Sequence, residues 1–258
     1  MPRALTTALA LLAYLPSIAV AAQSVKLTAN FSPDRLRTPT TISFGFQISA
    51  GAGRVPSPLI GIDLRYPVNI GLSTSELGLA TCQPTRLEAF GPAGCPANSR
   101  VGHGSALTEI PVGPEVIRER AKITLLAGPI REGHLDFLVY AIGASPIAAQ
   151  IIFSALLLPE PPPFGGRLHF DVPLVPSVPE APDVSLVQLT TTLGPLGLTY
   201  YERVHGRMLA YTPKGILLPS TCPRGGFPFA ASLSFKDGTI THAATTVPCP
   251  GHSPRRGR

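Results

Sequence analysis

The sequence predicts an all-β protein, an antiparallel β-sandwich stapled by two local disulfides. Three observations carry that reading. Short runs alternate apolar and polar residues, turn residues separate the runs, and four cysteines fall in two near pairs behind an apolar N-terminal stretch. Thirty prolines and twenty-five glycines in 258 residues leave little room for helices, since proline lacks the amide donor and glycine is entropically costly inside an element. Short strands without intervening helices imply a sandwich or a closed barrel, and the sandwich is the expectation. Two smaller β domains meeting near residue 160 form the alternative.

The first element is not structural. Arg3 supplies a minimal positive start, Ala4 to Ala22 is uncharged, and Ala19-Val20-Ala21 offers a small-x-small cleavage pattern. Residues 1–21 therefore read as a cleavable signal peptide rather than a retained membrane anchor, with Pro16 arguing against a span. No cysteine follows the run, so a lipoprotein anchor is not expected, and no stable membrane anchor remains after cleavage. The domain itself is placed at 22–250, and residues 251–258, which include Arg255, Arg256 and Arg258, read as a flexible basic tail.

Strands follow in order. Val25, Leu27, Ala29 and Phe31 share one face, as do Ile42, Phe44, Phe46 and Ile48, then Ile60, Ile62, Leu64 and Tyr66. Thr74–Ala80 and Thr85–Phe90 are the two stretches with helical character. Glu115–Leu126, with Glu119 and Arg120, reads as a strand with a solvated face, a short helix being the other option. Leu135, Phe137, Val139 and Ala141 resume the alternation, followed by Val187, Leu189 and Thr191 and by Phe229, Ala231, Leu233 and Phe235. Between them, residues 158–182 hold eight prolines, with Pro173, Pro176, Pro179 and Pro182 at every third position. That spacing lines one edge of a polyproline II helix, a docking strip for an aromatic groove. The plainer reading is a stiff crossover or an edge strand, and it is the one adopted here.

The cysteines complete the pattern. Asp237-Gly238 marks a hairpin tip of type I′ between Phe227–Phe235 and Thr239–Val247. Cys222 and Cys249 then lie close together at its open end, and Cys82 and Cys95 close a shorter loop worth about 3 kcal/mol in chain-entropy terms. Four cysteines allow three connectivities, of which local pairing is the expectation. An even count behind an export signal argues for disulfides rather than metal ligands or free thiols.

The same residues carry a resemblance. Leu79-Ala80-Thr81-Cys82, Cys95-Pro96-Ala97-Asn98-Ser99-Arg100-Val101-Gly102, and Cys222-Pro223-Arg224-Gly225-Gly226-Phe227 through Asp237-Gly238 to Pro248-Cys249-Pro250 are similar to a loose group of uncharacterised exported β-rich proteins from high-GC Gram-positive bacteria. The resemblance covers about a quarter of the chain. It implies a secreted β-rich domain with two local disulfides, and it brings no catalytic residue.

Composition excludes some functions. The apolar fraction of 44% and mean hydropathy of +0.25 rule out a disordered chain. The net charge of +6 is spread thinly and tryptophan is absent, so nucleic-acid binding is not expected. No serine-hydrolase elbow, zinc-protease helix, phosphate loop or dinucleotide fingerprint occurs. Weak candidates remain: His169-Phe170-Asp171 on one strand face for a metal, Gly102-His103-Gly104-Ser105 for a nucleophile, and Asp63, Asp136, Asp171 and Glu202 for paired carboxylates. Each has a plainer explanation as strand polarity or strand-start glycine, and Asn30-Phe31-Ser32 is a sequon by chance. The sequence therefore nominates no catalytic residue, metal or cofactor. The expected function is a secreted or cell-envelope module with a structural, adhesive or binding role and a cell-wall or extracellular partner. The alternative is a secreted hydrolase whose site is assembled from distant strands. A carrier for an apolar ligand is a third possibility raised by the aliphatic content.

Overall fold

Burying one phase of each alternating run is what orders this chain. In a computed structural model, residues 23–51, 53–72, 80–143, 149–176, 182–194 and 199–250 are described, apart from the Glu202 side chain. The predicted signal peptide, the predicted helix at Thr74–Ala80 and the basic tail lie almost wholly outside those residues. The described chain forms fifteen strands and one short α-helix. The first strands are β1 (Ser24–Ser32), β2 (Pro39–Ser49), β3 (Leu59–Pro67) and β4 (Gly71–Leu72). After α1 (Pro84–Phe90) come β5 (Arg100–Val112), β6 (Glu115–Ala127), β7 (Leu135–Gly143), β8 (Gln150–Pro159) and β9 (Phe164–Asp171). The remainder are β10 (Ser185–Leu193), β11 (Tyr200–Val204), β12 (Arg207–Tyr211), β13 (Ile216–Leu217), β14 (Phe227–Phe235) and β15 (Ile240–Val247).

Thirteen strands share one antiparallel sheet in the order β15-β14-β3-β9-β8-β7-β6-β5-β10-β2-β13-β4, with β1 paired to β2. The sheet is nearly closed, because β1 lies against β15. Thr241 Oγ1 donates to the Gln23 carbonyl at 3.2 Å across this seam, and Gln23 Nε2 donates to Thr239 Oγ1 at 3.0 Å. Phe31 of β1 meets Phe227 of β14 edge-on, with centroids 5.2 Å apart. The fold is thus all-β and antiparallel as expected, with its layers joined in one hydrogen-bonded path.

The enclosed core is built from the predicted apolar phases. Ile42, Phe44, Phe46 and Ile48 are all buried, as are Phe137, Val139 and Ala141 and the hairpin set Phe229, Ala231, Leu233 and Phe235. Each fully buried large side chain contributes roughly 1.5–3 kcal/mol. Four register shifts interrupt the pairing of the described strands, and three of them bear on which residues face the core. Beside Leu59, the pairing of β3 with β14 slips by one residue, so Leu59 is buried while Ile60 is exposed. A second bulge at Leu186–Gln188 sends Leu186, rather than Val187, against the core. The third, at Val101, tucks that residue inside and leaves Arg100 pointing outward with Leu126.

Cys82–Cys95 and Cys222–Cys249 are both formed, with Cα–Cα distances of 5.1 and 5.8 Å. The first does more than close a loop. It anchors α1 and two 3₁₀ turns against the outside of β6 and β7, where Leu87, Leu126, Leu138 and Tyr140 form a second small core with the cystine. That is why β7 is buried on both faces. The second cystine closes the open end of the β14–β15 hairpin as predicted. The turn differs from the type I′ expectation: only Gly238 has positive φ, at 81°. Gly238 N–H donates to the Phe235 carbonyl at 3.0 Å, so Lys236-Asp237-Gly238 is a three-residue loop of a type I turn followed by a left-handed glycine.

The Glu115–Ala127 segment is a strand. The proline-rich stretch divides: β9 runs through it, paired to β3 and β8, while Val172, Pro173 and Val175 cross one end of the core. Val184 N–H donates to the Val175 carbonyl there at 2.9 Å, which makes a strap.

Candidate functional site

A groove of about 500 Å³ lies between the outer face of β5–β6–β10 and the 3₁₀ turn after α1. Its floor follows from strand register. Thr192, His103 and Thr124 are directly opposed on β10, β5 and β6, and the row continues to Ser43 on β2 and Tyr140 on β7. Ser43 Oγ and Thr192 Oγ1 are hydrogen bonded at 2.8 Å. Arg100 and Lys122 lie one row to either side, and Thr41 and Pro92 complete the rim. Tyr140 donates its phenolic hydrogen to Gln150 Oε1 at 3.2 Å, which holds the ring across one wall. Among the described residues, no carboxylate lines the groove. The arrangement presents two permanent cations, an imidazole and several hydroxyls, a set suited to an anionic or polyhydroxylated ligand.

Gly102 and Gly104 make this face possible. A Cβ on either would run into the Thr192 or Thr190 carbonyl oxygen of β10, so the two strands approach more closely than side chains permit. The Gly102-His103-Gly104-Ser105 motif is thus a pair of inward glycines at a close strand contact, with His103 and Ser105 facing outward. Ser105 and His103 sit two residues apart on one strand, and neither hydrogen bonds the other.

A second polar array crosses β15, β14, β3 and β9. His242, Ser232, Asp63 and His169 lie in one cross-strand row. His169 Nδ1 and Asp63 Oδ1 are 2.8 Å apart, His169 Nε2 lies 3.4 Å from Asp171 Oδ1, and Arg167 lies 3.8 Å from Asp63. Arg65 donates to Ser232 Oγ at 3.2 Å, and Ser232 Oγ meets His242 Nδ1 at 3.0 Å. The structure therefore adds Asp63 to the His169 and Asp171 pair that the sequence placed on one strand face. No group of three or more His, Cys, Asp or Glu side chains among the described residues could hold a metal ion. Ser232 has a histidine partner, but Asp63, the acid opposite it, is engaged with His169 on the other side. The array is open to water on a sheet surface. Its exposed pairs are individually worth about 0–1 kcal/mol.

Asp136 is placed differently. It is buried on β7, accepting from Ser154 Oγ at 3.0 Å with Arg131 3.8 Å away. Burial pushes its carboxyl above the usual range, and Ser154 and Arg131 offset this only in part. It shares a cross-strand row with His169 and Asp63 but is set off from them by Leu156, and the fourth predicted carboxylate, Glu202, has its side chain outside the described residues. Among the described residues, no helix is long and apolar enough to cross a membrane. Sequence reasoning missed the groove because its cations and hydroxyls come from five strands, joined only by register. Comparison with family models, with curated proteins and with solved structures gives no match to this chain.

Proposed function

We propose that this chain is a secreted or cell-envelope binding module whose contact site is the Arg100–His103–Lys122 groove, with an anionic wall or extracellular polymer as partner. The carrying observation is charge segregation: the groove collects Arg100, Lys122 and His103 with the Thr41, Thr124 and Thr192 hydroxyls, and no carboxylate among the described residues lines it. Two structural disulfides support an oxidising compartment, as does the resemblance of the cysteine motifs to exported proteins. The apolar phase of the strands faces inward and the polar phase outward, the reverse of a lipid-facing transmembrane barrel.

The test is retention of the mature, oxidised protein on immobilised polygalacturonate and polyglycerol phosphate, with neutral dextran as control. Retention should weaken steeply with salt and fall at least tenfold in Arg100→Glu/Lys122→Glu. Equal retention on dextran, or charge-reversed protein that binds as before, would overturn the reading. The second reading, a secreted hydrolase, draws on the Ser232–His242 contact alone. Any ester hydrolysis by the mature protein that vanishes in Ser232→Ala would favour it.

A further inference from the structure

The interior holds a feature that the groove reading does not use. Aromatic rings fill the middle of the enclosed core, where Phe44, Phe46, Phe153 and Phe170 meet. Toward the end under the strap, the inward positions become small. Ala106 and Ala121 are opposed on β5 and β6, and Ala141 opposes Ile123 on β7 and β6. The three alanines leave a cavity of about 120 Å³. Val172, Pro173, Val175 and Val184 of the strap roof it, and Phe153 separates it from a further void of about 40 Å³. The cavity is partly open to solvent under the strap, whereas the core beside it is close-packed.

Its lining is aliphatic and aromatic except for Thr108, whose hydroxyl donates to the Glu119 carbonyl at 3.3 Å. That hydroxyl is already committed. The lining is almost wholly apolar, so it holds water weakly, and apolar cavities of about 150 Å³ take up benzene or xenon. The strap is held down on both sides, by the Val184–Val175 hydrogen bond and by Lys236 Nζ against Asp183 Oδ2 at 2.6 Å.

We propose that the alanine-lined end of the core, under the Val172–Val175 strap, is a binding site for a small, wholly apolar molecule about the size of benzene. The site needs no hydrogen bond and rejects charge, because any polar group brought there would lose its water without gaining a partner.

Benzene titrated into the mature, oxidised protein, followed by methyl NMR and by thermal melting, tests the site. The methyls of Ile123, Val139 and Leu189 should shift, while those of the groove's Thr124 and Thr192 stay in place. At about ten times Kd the melting temperature should rise by roughly 3–6 °C. Ala141→Leu, or the milder Ala121→Val, fills the space and should lose both responses while remaining folded. Hexanoate should bind at least tenfold more weakly than benzene. Absence of methyl shifts near benzene saturation, an undiminished response in both filled variants, or equal affinity for hexanoate would overturn the proposal.

Discussion

At the scale of single residues, two positions show how burial and close approach set behaviour. Asp136 holds its proton more tightly in the folded chain than in the unfolded one, because burial disfavours the carboxylate. The sign follows from linkage: its contribution is most favourable below the ordinary carboxyl pKa of 3.8 and declines as pH rises through the raised value. Asp136→Asn retains an acceptor for Ser154 and removes that titration. It should be more stable than the parent at pH 7, and denaturant titrations should show the gap closing as pH falls toward 4. A gap independent of pH would contradict this. Gly104→Ala should destabilise by about 1–3 kcal/mol, since the new methyl meets the Thr190 carbonyl and the Thr191 side chain. Ser105→Ala, its outward neighbour, should stay within about 0.5 kcal/mol by the same melts.

At the scale of elements, the β14–β15 hairpin is the sharpest case. Leu233 is fully buried and Ser232 faces the outer polar row. Leu233→Ala should cost about 2–5 kcal/mol in denaturant unfolding, and Ser232→Ala far less. Removing the Cys222–Cys249 bridge should cost on the order of 2–5 kcal/mol. This hairpin was legible because alternation, a turn dipeptide and cysteines bracket it together. Only the turn type differs, since Gly238 alone takes positive φ where a type I′ turn needs two such residues. The faces of Ile60 and Val187 could not be read, because a bulge obeys pairing with a distant strand and leaves no local mark. The helix at Pro84–Phe90 was visible within one residue. Its role as a second core against Leu138 and Tyr140 was not, since β7 carries the same apolar residues whether its outer face is covered or bare. Selective reduction of Cys82–Cys95 should raise amide exchange in α1 while the β14–β15 amides keep their protection, as hydrogen-exchange mass spectrometry can check.

At the scale of the molecule, all-β character and both cystines followed from sequence, whereas the near closure of the sheet did not. Closure rests on β1 meeting β15, a contact between segments that share no motif. The groove was equally hidden, because Arg100, His103 and Lys122 carry no signature until β5 and β6 are paired.

The position of β3 has a consequence for how the chain assembles. Its two neighbours arrive late: Asp63 meets a histidine 106 residues downstream and Arg65 a serine 167 residues downstream. Until then β3 has no partner on either edge, so folding is dominated by distant pairings and belongs to the slow, milliseconds-to-seconds class. Charges on an unpaired edge discourage association with other chains. Asp63 and Arg65 then protect the nascent strand as well as decorating the finished one. Asp63→Asn/Arg65→Gln should lower the soluble yield on refolding from denaturant far more than it lowers the stability of the protein that does fold.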